Sequence, residues 1–217
     1  MTGVRAARSR MKRGMDLVGA MVGVMLLGPI LLLVALAVRL DSPGPALFRQ
    51  ERLGMNGEVF VALKFRTMVR DAEAMEGGLR TGSHDPRITR VGRLLRALSL
   101  DELPQILNVL RGEMSLVGPR PAPVAHLDGY GARERRRLAV RPGMTGWAQV
   151  NGRNALTWGE RIEKDLWYID QWSPWLDLGI LARTVRVVLL SEGVYSGRYD
   201  RRFRYRGAEG GDEYPGG

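Results

Sequence analysis

The first feature along the chain is a stretch without any charged residue, from Leu17 to Val38. Its 22 residues would extend about 33 Å as a straight helix, long enough to cross the hydrocarbon core of a bilayer. The residues before it are rich in positive charge: Arg5, Arg8, Arg10, Lys12 and Arg13. The pattern predicts a basic leader over residues 1–14 and a membrane helix over residues 15–40.

Three arrangements fit the apolar segment. A cleaved signal peptide would explain the basic start and the small residues at Ala35-Leu36-Ala37, but its apolar core is usually only about 7–15 residues. A single-pass anchor is the simplest alternative. The third is a re-entrant hairpin with a break at Gly28-Pro29, because Pro29 cannot donate a hydrogen bond to Met25 and its ring crowds the preceding turn.

Beyond Asp41 the pattern predicts a mostly helical α+β domain over residues 41–195. Two strands, over residues 46–50 and 58–65, flank Asn56-Gly57, which is the usual signal for a hairpin turn. Periodic apolar residues predict helices over residues 69–79, 88–98, 157–171 and 177–190. Residues 196–217 are predicted to form a tail that is first basic and then disordered, with the disorder over residues 207–217.

The charge balance narrows the choice of partners. Lys and Arg total 33 against 23 Asp and Glu, and a net charge of +10 predicts a polyanionic partner: nucleic acid, anionic lipid or a nucleotide diphosphate. The absence of cysteine excludes thiol catalysis, disulfides and thiolate metal sites. With only two histidines a multi-histidine zinc site is disfavoured, whereas a magnesium site built from carboxylates and substrate phosphates remains open.

Two adjacent carboxylates, Asp101 and Glu102, lie where a helix is predicted to begin. Ser99 and Glu102 have the spacing of a capping box, while Pro104 favours a slightly later start. In both cases Asp101 is near the positive end of a helix dipole, which keeps a carboxylate ionised and attracts phosphate. Acidic residues are common in first turns for this reason alone, so the spacing does not by itself establish a catalytic site.

Several basic residues are candidates for binding phosphate. Lys64 and Arg66 lie at the exit of the predicted hairpin, either as a solvated strand end or as a phosphate-facing pair. Arg120 lies between two prolines, whose restricted backbone suits a pre-organised binding residue. Three further arginines share one stripe of the helix predicted over residues 88–98: Arg90, Arg93 and Arg96.

The motifs around these residues resemble a known family. The chain reads Ser-Leu-Asp-Glu-Leu-Pro-Gln from Ser99, Asn-Val-Leu-Arg-Gly from Asn108 and Met-Ser-Leu-Val-Gly-Pro-Arg-Pro from Met114. Lys-Phe-Arg-Thr-Met from Lys64 and Pro-Gly-Met-Thr-Gly-Trp from Pro142 continue the match. Together they resemble the bacterial sugar transferases, small monotopic phosphoglycosyl transferases that prime glycan synthesis on a polyprenyl phosphate. The resemblance covers about residues 12–190, and the chain looks like the minimal catalytic form.

The resemblance implies a transfer of phosphosugar from a UDP-sugar to polyprenyl (undecaprenyl) phosphate, with release of UMP and with Mg²⁺ as cofactor. The catalytic dyad of the family falls on Asp101 and Glu102, and Asp101 is the implied nucleophile and metal ligand. The implied substrate-binding residues are Lys64, Arg66, Arg96, Arg120, Asn151 and Arg153.

The resemblance also implies a place at the membrane. Family members use the apolar segment as a re-entrant helix, so we expect Met1 and Asp41 on the cytosolic face and the catalytic domain at the inner face of the cytoplasmic membrane. Downstream glycosyltransferases are expected partners, and nucleic acid is not. Two other classes remain for comparison: a membrane-tethered nucleic-acid-binding protein and a non-catalytic scaffold of a glycan assembly complex.

Overall fold

The computed structural model describes residues 2–72, 75, 85–152 and 155–189 of the chain. The fold is α+β, as predicted. Its helices are α1 Thr2–Ala7, α2 Arg10–Asp41, α3 Arg90–Ala97, α4 Ile106–Arg111, α5 Ala132–Arg135, α6 Trp147–Val150, α7 Trp158–Gln171 and α8 Pro174–Leu189. Its strands are β1 Leu47–Leu53, β2 Val59–Phe65, β3 Ser115–Val117, β4 Ala122–Pro123 and β5 Gly143–Thr145.

The apolar segment forms one continuous helix, α2. It begins inside the predicted leader, where the Ser9 side chain accepts a hydrogen bond from the Lys12 amide at 3.2 Å. Every residue from Arg10 to Asp41 is helical, so the break predicted at Gly28-Pro29 is absent. Proline removes one backbone hydrogen bond, and the turns on either side still satisfy the others. The re-entrant path of α2 through a membrane stays a prediction.

The middle of α2 exposes a large apolar surface. Met25, Leu26 and Leu32 are about 70% exposed, at 73%, 69% and 74%. Within the described residues, α2 is the one helix long and apolar enough to cross a membrane, judged by length and composition only. The exposed side chains therefore fit a lipid environment better than water.

The N-terminal end of α2 is bonded to the α+β domain. The Lys12 ammonium lies 2.9 Å from a carboxylate oxygen of Asp16 and 2.9 Å from one of Asp177 in α8. Asp16 also accepts hydrogen bonds from the Ser115 hydroxyl at 2.9 Å and from the Leu116 amide at 3.0 Å. These buried contacts make part of the predicted leader an integral part of the domain.

The C-terminal end of α2 is fastened to the same domain. The Arg66 guanidinium, at the end of β2, donates to the carbonyls of Pro43, Ser42 and Val38 at 2.7, 2.6 and 3.3 Å. Asp41 accepts from the Val91 amide at 2.9 Å and so caps α3. Both ends of α2 therefore contact one folded unit.

The predicted hairpin is confirmed. Strands β1 and β2 pair antiparallel from Leu47↔Phe65 to Leu53↔Val59. The sheet has the order β2-β1-β4, which leaves β2 at one edge, and a second small sheet pairs β3 with β5 in parallel. This arrangement brings the end of β2 beside the segment that carries Asp101 and Glu102.

The remaining helices follow the predictions unevenly. Helices α3, α7 and α8 match three of the four predicted ranges to within about three residues, as is usual for helix ends. The helix predicted from Val69 does not begin there, because residues 70–72 form turns and Asp71 has a left-handed φ of 59°. Most of that predicted helix, and the predicted tail over residues 196–217, lie outside the described residues.

Candidate active site

The Asp101-Glu102 pair lies on a tight helical turn. Residues Leu100–Gln105 form a 3-10 helix that continues directly into α4. The predicted capping box does not form: Ser99 is left-handed, with φ 55°, and its side chain does not cap the turn. Glu102 does not reach back to Ser99 because two cationic side chains hold its carboxylate instead.

Glu102 is clamped by Lys64 and Arg120. The Lys64 ammonium lies 3.1 Å from Glu102 Oε1, and the Arg120 guanidinium binds both carboxylate oxygens, at 2.6 and 3.0 Å. Bidentate arginine–carboxylate pairs are the stronger and more directional kind. Burial acts to raise the pKa of Glu102, but Arg120 and Lys64 outweigh it and hold the pKa well below the usual range. Glu102 therefore stays ionised.

Asp101 has a different environment. Its carboxylate makes no hydrogen bond or ion pair with the part of the chain that the structure describes. Burial, and then the adjacent negative charge of Glu102, raise its pKa to about 6, although Lys64, Arg120 and Arg96 pull in the other direction. The dipole effect expected from the sequence is therefore outweighed. At pH 7 about ten carboxylates are still ionised for each protonated one.

The backbone at Arg120 is held by a hydrogen bond from Arg137. The Arg120 carbonyl accepts this bond at 2.9 Å. Arg137 is itself buried, and it pairs with Asp165 of α7 at 2.6 Å and donates to the Tyr130 hydroxyl at 2.7 Å. This network fixes the loop between β3 and β4, so the Arg120 side chain reaches Glu102 from a rigid support.

Arg96 approaches the pair from α3. Its Nε donates to the Thr67 hydroxyl at 2.8 Å, and its charge lowers the pKa of Asp101. Arg90 and Arg93 are exposed on the same helix. The structure thus brings Lys64, Arg96 and Arg120 around Asp101 and Glu102, and the roles of these residues in substrate binding stay predictions.

Two predicted binding residues, Arg66 and Asn151, have their side chains bonded elsewhere. Arg66 is 6% exposed, and its guanidinium is directed at the end of α2 rather than at Glu102. Asn151 donates to the Trp147 carbonyl at 2.8 Å, which closes α6. Arg153 lies outside the described residues. The end of β2 explains the direction of the Arg66 side chain. Residues two apart in a strand point to the same face, but β2 ends at Phe65, so Arg66 need not follow Lys64.

Two residues near the site were not singled out from the sequence. Thr67 supplies the hydroxyl that orients Arg96. Asn108 is fully buried and joins α4 to β2. Both lie inside the quoted motifs, but only the tertiary contacts give them a role.

The donor set limits how a metal could bind. No cluster of three or more Asp, Glu, His or Cys side chains suited to a metal is present among the described residues. Both Glu102 oxygens are engaged by cations, so Asp101 is the one carboxylate of the pair with free oxygens. Such a set fits Mg²⁺ shared with substrate phosphates rather than an all-protein cage.

Comparison with known proteins agrees with this geometry. A family model described as bacterial sugar transferase matches residues 7–191. The chain belongs to the bacterial sugar transferase family. The resemblance drawn from the motifs is confirmed, and so is the prediction of an enzyme of the glycosyl-1-phosphate transferase type.

Three relatives show how far the similarity extends. A Bacillus subtilis protein named uncharacterized sugar transferase EpsL is 46% identical over 198 residues, covering 91% of this chain and 96% of the relative. A UDP-glucose:undecaprenyl-phosphate glucose-1-phosphate transferase of Caulobacter vibrioides is 49% identical over 205 residues, covering 88% and 74%. The protein of the same name in Escherichia coli is 44% identical over 200 residues, covering 85% and 41%.

Proposed function

We propose that this sugar transferase moves a phosphosugar from a UDP-sugar to a polyprenyl phosphate and releases UMP, the first step of a polysaccharide or other glycan. The names of relatives support the substrate classes: two are UDP-glucose:undecaprenyl-phosphate transferases, and one from Streptococcus agalactiae is a galactosyl transferase. The observation that carries the proposal is an ionised, unbonded Asp101 next to a Glu102 that holds two cations.

The proposed reaction has two displacements at one phosphorus. First, an Asp101 oxygen attacks the sugar-bearing phosphorus of the UDP-sugar, the bond to the bridging oxygen breaks, and UMP leaves with that electron pair. The enzyme then carries an acyl phosphate. Second, an oxygen of the lipid phosphate attacks the same phosphorus, the bond to Asp101 breaks, and the carboxylate is regenerated. Carboxylates are established covalent nucleophiles at phosphorus.

Lys64 and Arg120 supply the positive charge that this chemistry requires. Glu102 holds them at the site in the absence of substrate, so they are pre-organised for the diphosphate. With its pKa so low, Glu102 is a poor proton acceptor, and we assign it a positioning and electrostatic role. The lipid phosphate needs little help, because a phosphate monoester with a second pKa of about 6 is mostly a dianion at pH 7.

Magnesium is the proposed cofactor. Asp101 would hold it together with the substrate phosphates, in line with the single free carboxylate of the pair. When bound, the ion would offset the diphosphate charge and polarise the bonds to phosphorus.

We further propose that the enzyme is monotopic on the inner face of the cytoplasmic membrane. A straight helix of 32 residues is about 48 Å long and would place its two ends on opposite sides of a bilayer. Both ends of α2 instead contact the same domain, through Lys12 and Asp16 at one end and Arg66 and Asp41 at the other. These contacts support a path in which both ends of α2 lie on one side of the membrane, and the supply of nucleotide sugars favours the cytosolic side.

The test is a panel of UDP-sugars with polyprenyl phosphate and Mg²⁺, scored for UMP release by the purified, detergent-solubilised protein. We expect at least one of UDP-glucose, UDP-galactose and the UDP-N-acetylated amino sugars to release UMP. Release that requires no magnesium would contradict the cofactor assignment. No release from any member would contradict the proposed function.

A further inference from the structure

Asn108 is a buried polar residue that the proposed chemistry does not use. It lies in α4 and is 0% exposed. Its Oδ1 accepts a hydrogen bond from the Leu63 amide at 3.0 Å. Its Nδ2 donates to the Val61 carbonyl at 2.8 Å and to the Glu113 carboxylate at 2.7 Å. The carboxamide therefore uses both of its donors and its acceptor in the interior of the protein.

The hydrogen bonds of Asn108 with Val61 and Leu63 occupy the open edge of β2, where a neighbouring strand would otherwise bind. β2 is at the edge of its sheet, and β1 pairs with its other side. The carbonyl of one residue and the amide of the residue two positions later are the pair that a further strand would engage on that open edge. A carboxamide carries an acceptor and a donor on two separate atoms, whereas an aliphatic side chain has neither, an ionised carboxylate only accepts, and a hydroxyl has both on one oxygen.

This join lies directly beside the catalytic pair. Lys64 follows Leu63 on β2, and Glu102 is on the 3-10 turn that runs without interruption into α4. The position of α4 against β2 therefore sets the distance between the Lys64 ammonium and the Glu102 carboxylate, which is 3.1 Å.

We infer that Asn108 is a positioning residue for the catalytic pair, because its carboxamide locks α4 to the free edge of β2 and so holds Lys64 against Glu102. The inference rests on the proposed function, since the effect is measured on phosphosugar transfer. Replacing Asn108 by Ala leaves the Leu63 amide and the Val61 carbonyl without their partner and frees α4 to shift.

The test is a double-mutant cycle on kcat for UMP release, with wild type, Asn108→Ala, Lys64→Ala and the double variant. If Asn108 acts by placing Lys64, Asn108→Ala lowers kcat at least about tenfold in the wild-type background, as misplacement by about 1 Å does in other enzymes. In the Lys64→Ala background it then lowers kcat by less than about twofold, because the contact it serves is already gone. An equal fold loss in both backgrounds, or a loss below about twofold in wild type, would overturn the inference.

Ile180→Ala is the matched control. Ile180 is also fully buried, but in the cluster around α7 and α8, where Val117, Tyr168 and Ile169 surround it. We expect Ile180→Ala to lower the melting temperature and to reduce kcat by the same factor with or without Lys64. Hydrogen exchange of the peptide covering residues 59–65 should become faster in Asn108→Ala and stay unchanged in Ile180→Ala; unchanged exchange in Asn108→Ala would also contradict the inference.

The swapped pair Asn108→Asp/Glu113→Gln keeps the test valid if Asn108→Ala does not fold. Asn108→Asp retains the acceptor for Leu63 but loses both donors and faces Glu113, and adding Glu113→Gln restores one donor–acceptor pair at unchanged net charge. We expect the added Glu113→Gln to recover part of the lost kcat; no recovery would count against the inference. A wild type that releases no UMP indicates failure of the proposed function, and the exchange measurement then judges the Asn108 contact on its own.

Discussion

At the residue scale, Asp101 and Glu102 are neighbours whose pKa values are shifted in opposite directions. Both are partly buried. Glu102 is in direct contact with Lys64 and Arg120, whereas Asp101 feels these cations only from a greater distance and is repelled by Glu102. Two carboxylates whose surroundings push their pKa values apart usually divide the chemical roles between them. Here the division favours Asp101 as the nucleophile and Glu102 as the fixed counter-charge.

The pH dependence of activity follows from Asp101. The nucleophile must be ionised in the free enzyme, and its pKa is raised to about 6, so kcat/KM for the UDP-sugar should be nearly level from about pH 7 to about pH 8 and should fall about tenfold for each unit well below pH 6. The measurement is kcat/KM for the UDP-sugar, from UMP release at saturating lipid, between about pH 5 and about pH 8. A rate that is level down to about pH 5 would contradict the assignment.

The same shift has a consequence for stability. A carboxyl whose pKa is higher in the folded than in the unfolded state destabilises the fold once pH exceeds the unfolded value, near 3.8, and the full cost is present above about 6. Asp101→Asn removes the charge at nearly equal volume, so it should raise the melting temperature at pH 7 while abolishing turnover. A melting temperature that is lower at pH 7 than in wild type would contradict the burial argument.

The sequence located much of this site. Asp101, Glu102 and Arg120 were identified from motifs that lie close together along the chain. The position of Arg66 and the role of Asn108 depend instead on segments that meet only in the folded molecule, at the end of α2 and the edge of β2. Contacts between residues about 24 and 45 positions apart leave no spacing pattern to detect.

At the scale of elements, α3 brings Arg96 to the site because it packs closely on the chain after β2. Thr89 caps α3 with a bond of 3.0 Å to the Gly92 amide. A Cβ added at Gly92 would overlap the backbone of Thr67, whose hydroxyl orients Arg96. The absence of a side chain at Gly92 therefore sets the approach of the helix.

Gly92→Ala should push α3 away and displace Arg96. We expect a loss of stability of about 1–3 kcal/mol, as for other overpacked contacts, and a decrease in kcat/KM for the UDP-sugar of about tenfold or more. Gly179→Ala in α8 is the control, because a Cβ there meets no described atom within 4 Å. It should leave activity unchanged and stabilise the helix slightly. Equal behaviour of the two variants in thermal unfolding and turnover would contradict this packing.

The elements themselves were predicted where local pattern is strong. The hairpin and helix α7, where Thr157 and Glu160 form a capping box, are close to expectation. The predicted break at Gly28-Pro29 is not seen, because proline weakens a helix at one bond while the apolar residues around it favour continuation. Local signals thus predict where elements occur better than how they are joined.

At the scale of the whole molecule, the contacts of α2 bear on how the enzyme is arranged at the membrane. Its exposed middle is apolar, and both of its ends are bonded to the domain. The prediction is that both ends lie in the cytosol.

Single cysteines test this prediction cleanly, because the chain has none of its own. In Arg8→Cys and in Pro45→Cys the new thiol lies at an exposed position before or after α2. Both should resist a membrane-impermeant thiol reagent in intact cells and react after lysis, with a periplasmic cysteine protein as the positive control. Labelling of only one of them in intact cells would show that α2 spans the membrane.

The central claim is that Asp101 becomes covalently bonded to the phosphosugar. Wild-type enzyme is incubated with Mg²⁺ and a UDP-sugar labelled in the sugar, without polyprenyl phosphate, then quenched and digested for mass spectrometry. We predict one UMP released per enzyme at most, with a phosphosugar adduct on the peptide that contains Asp101, and no adduct in Asp101→Asn. Adding polyprenyl phosphate before the quench should remove the label. An enzyme that turns over with lipid present but shows neither adduct nor UMP release without it would contradict the claim, since the lipid phosphate would then displace UMP from the sugar-bearing phosphorus directly, in one step.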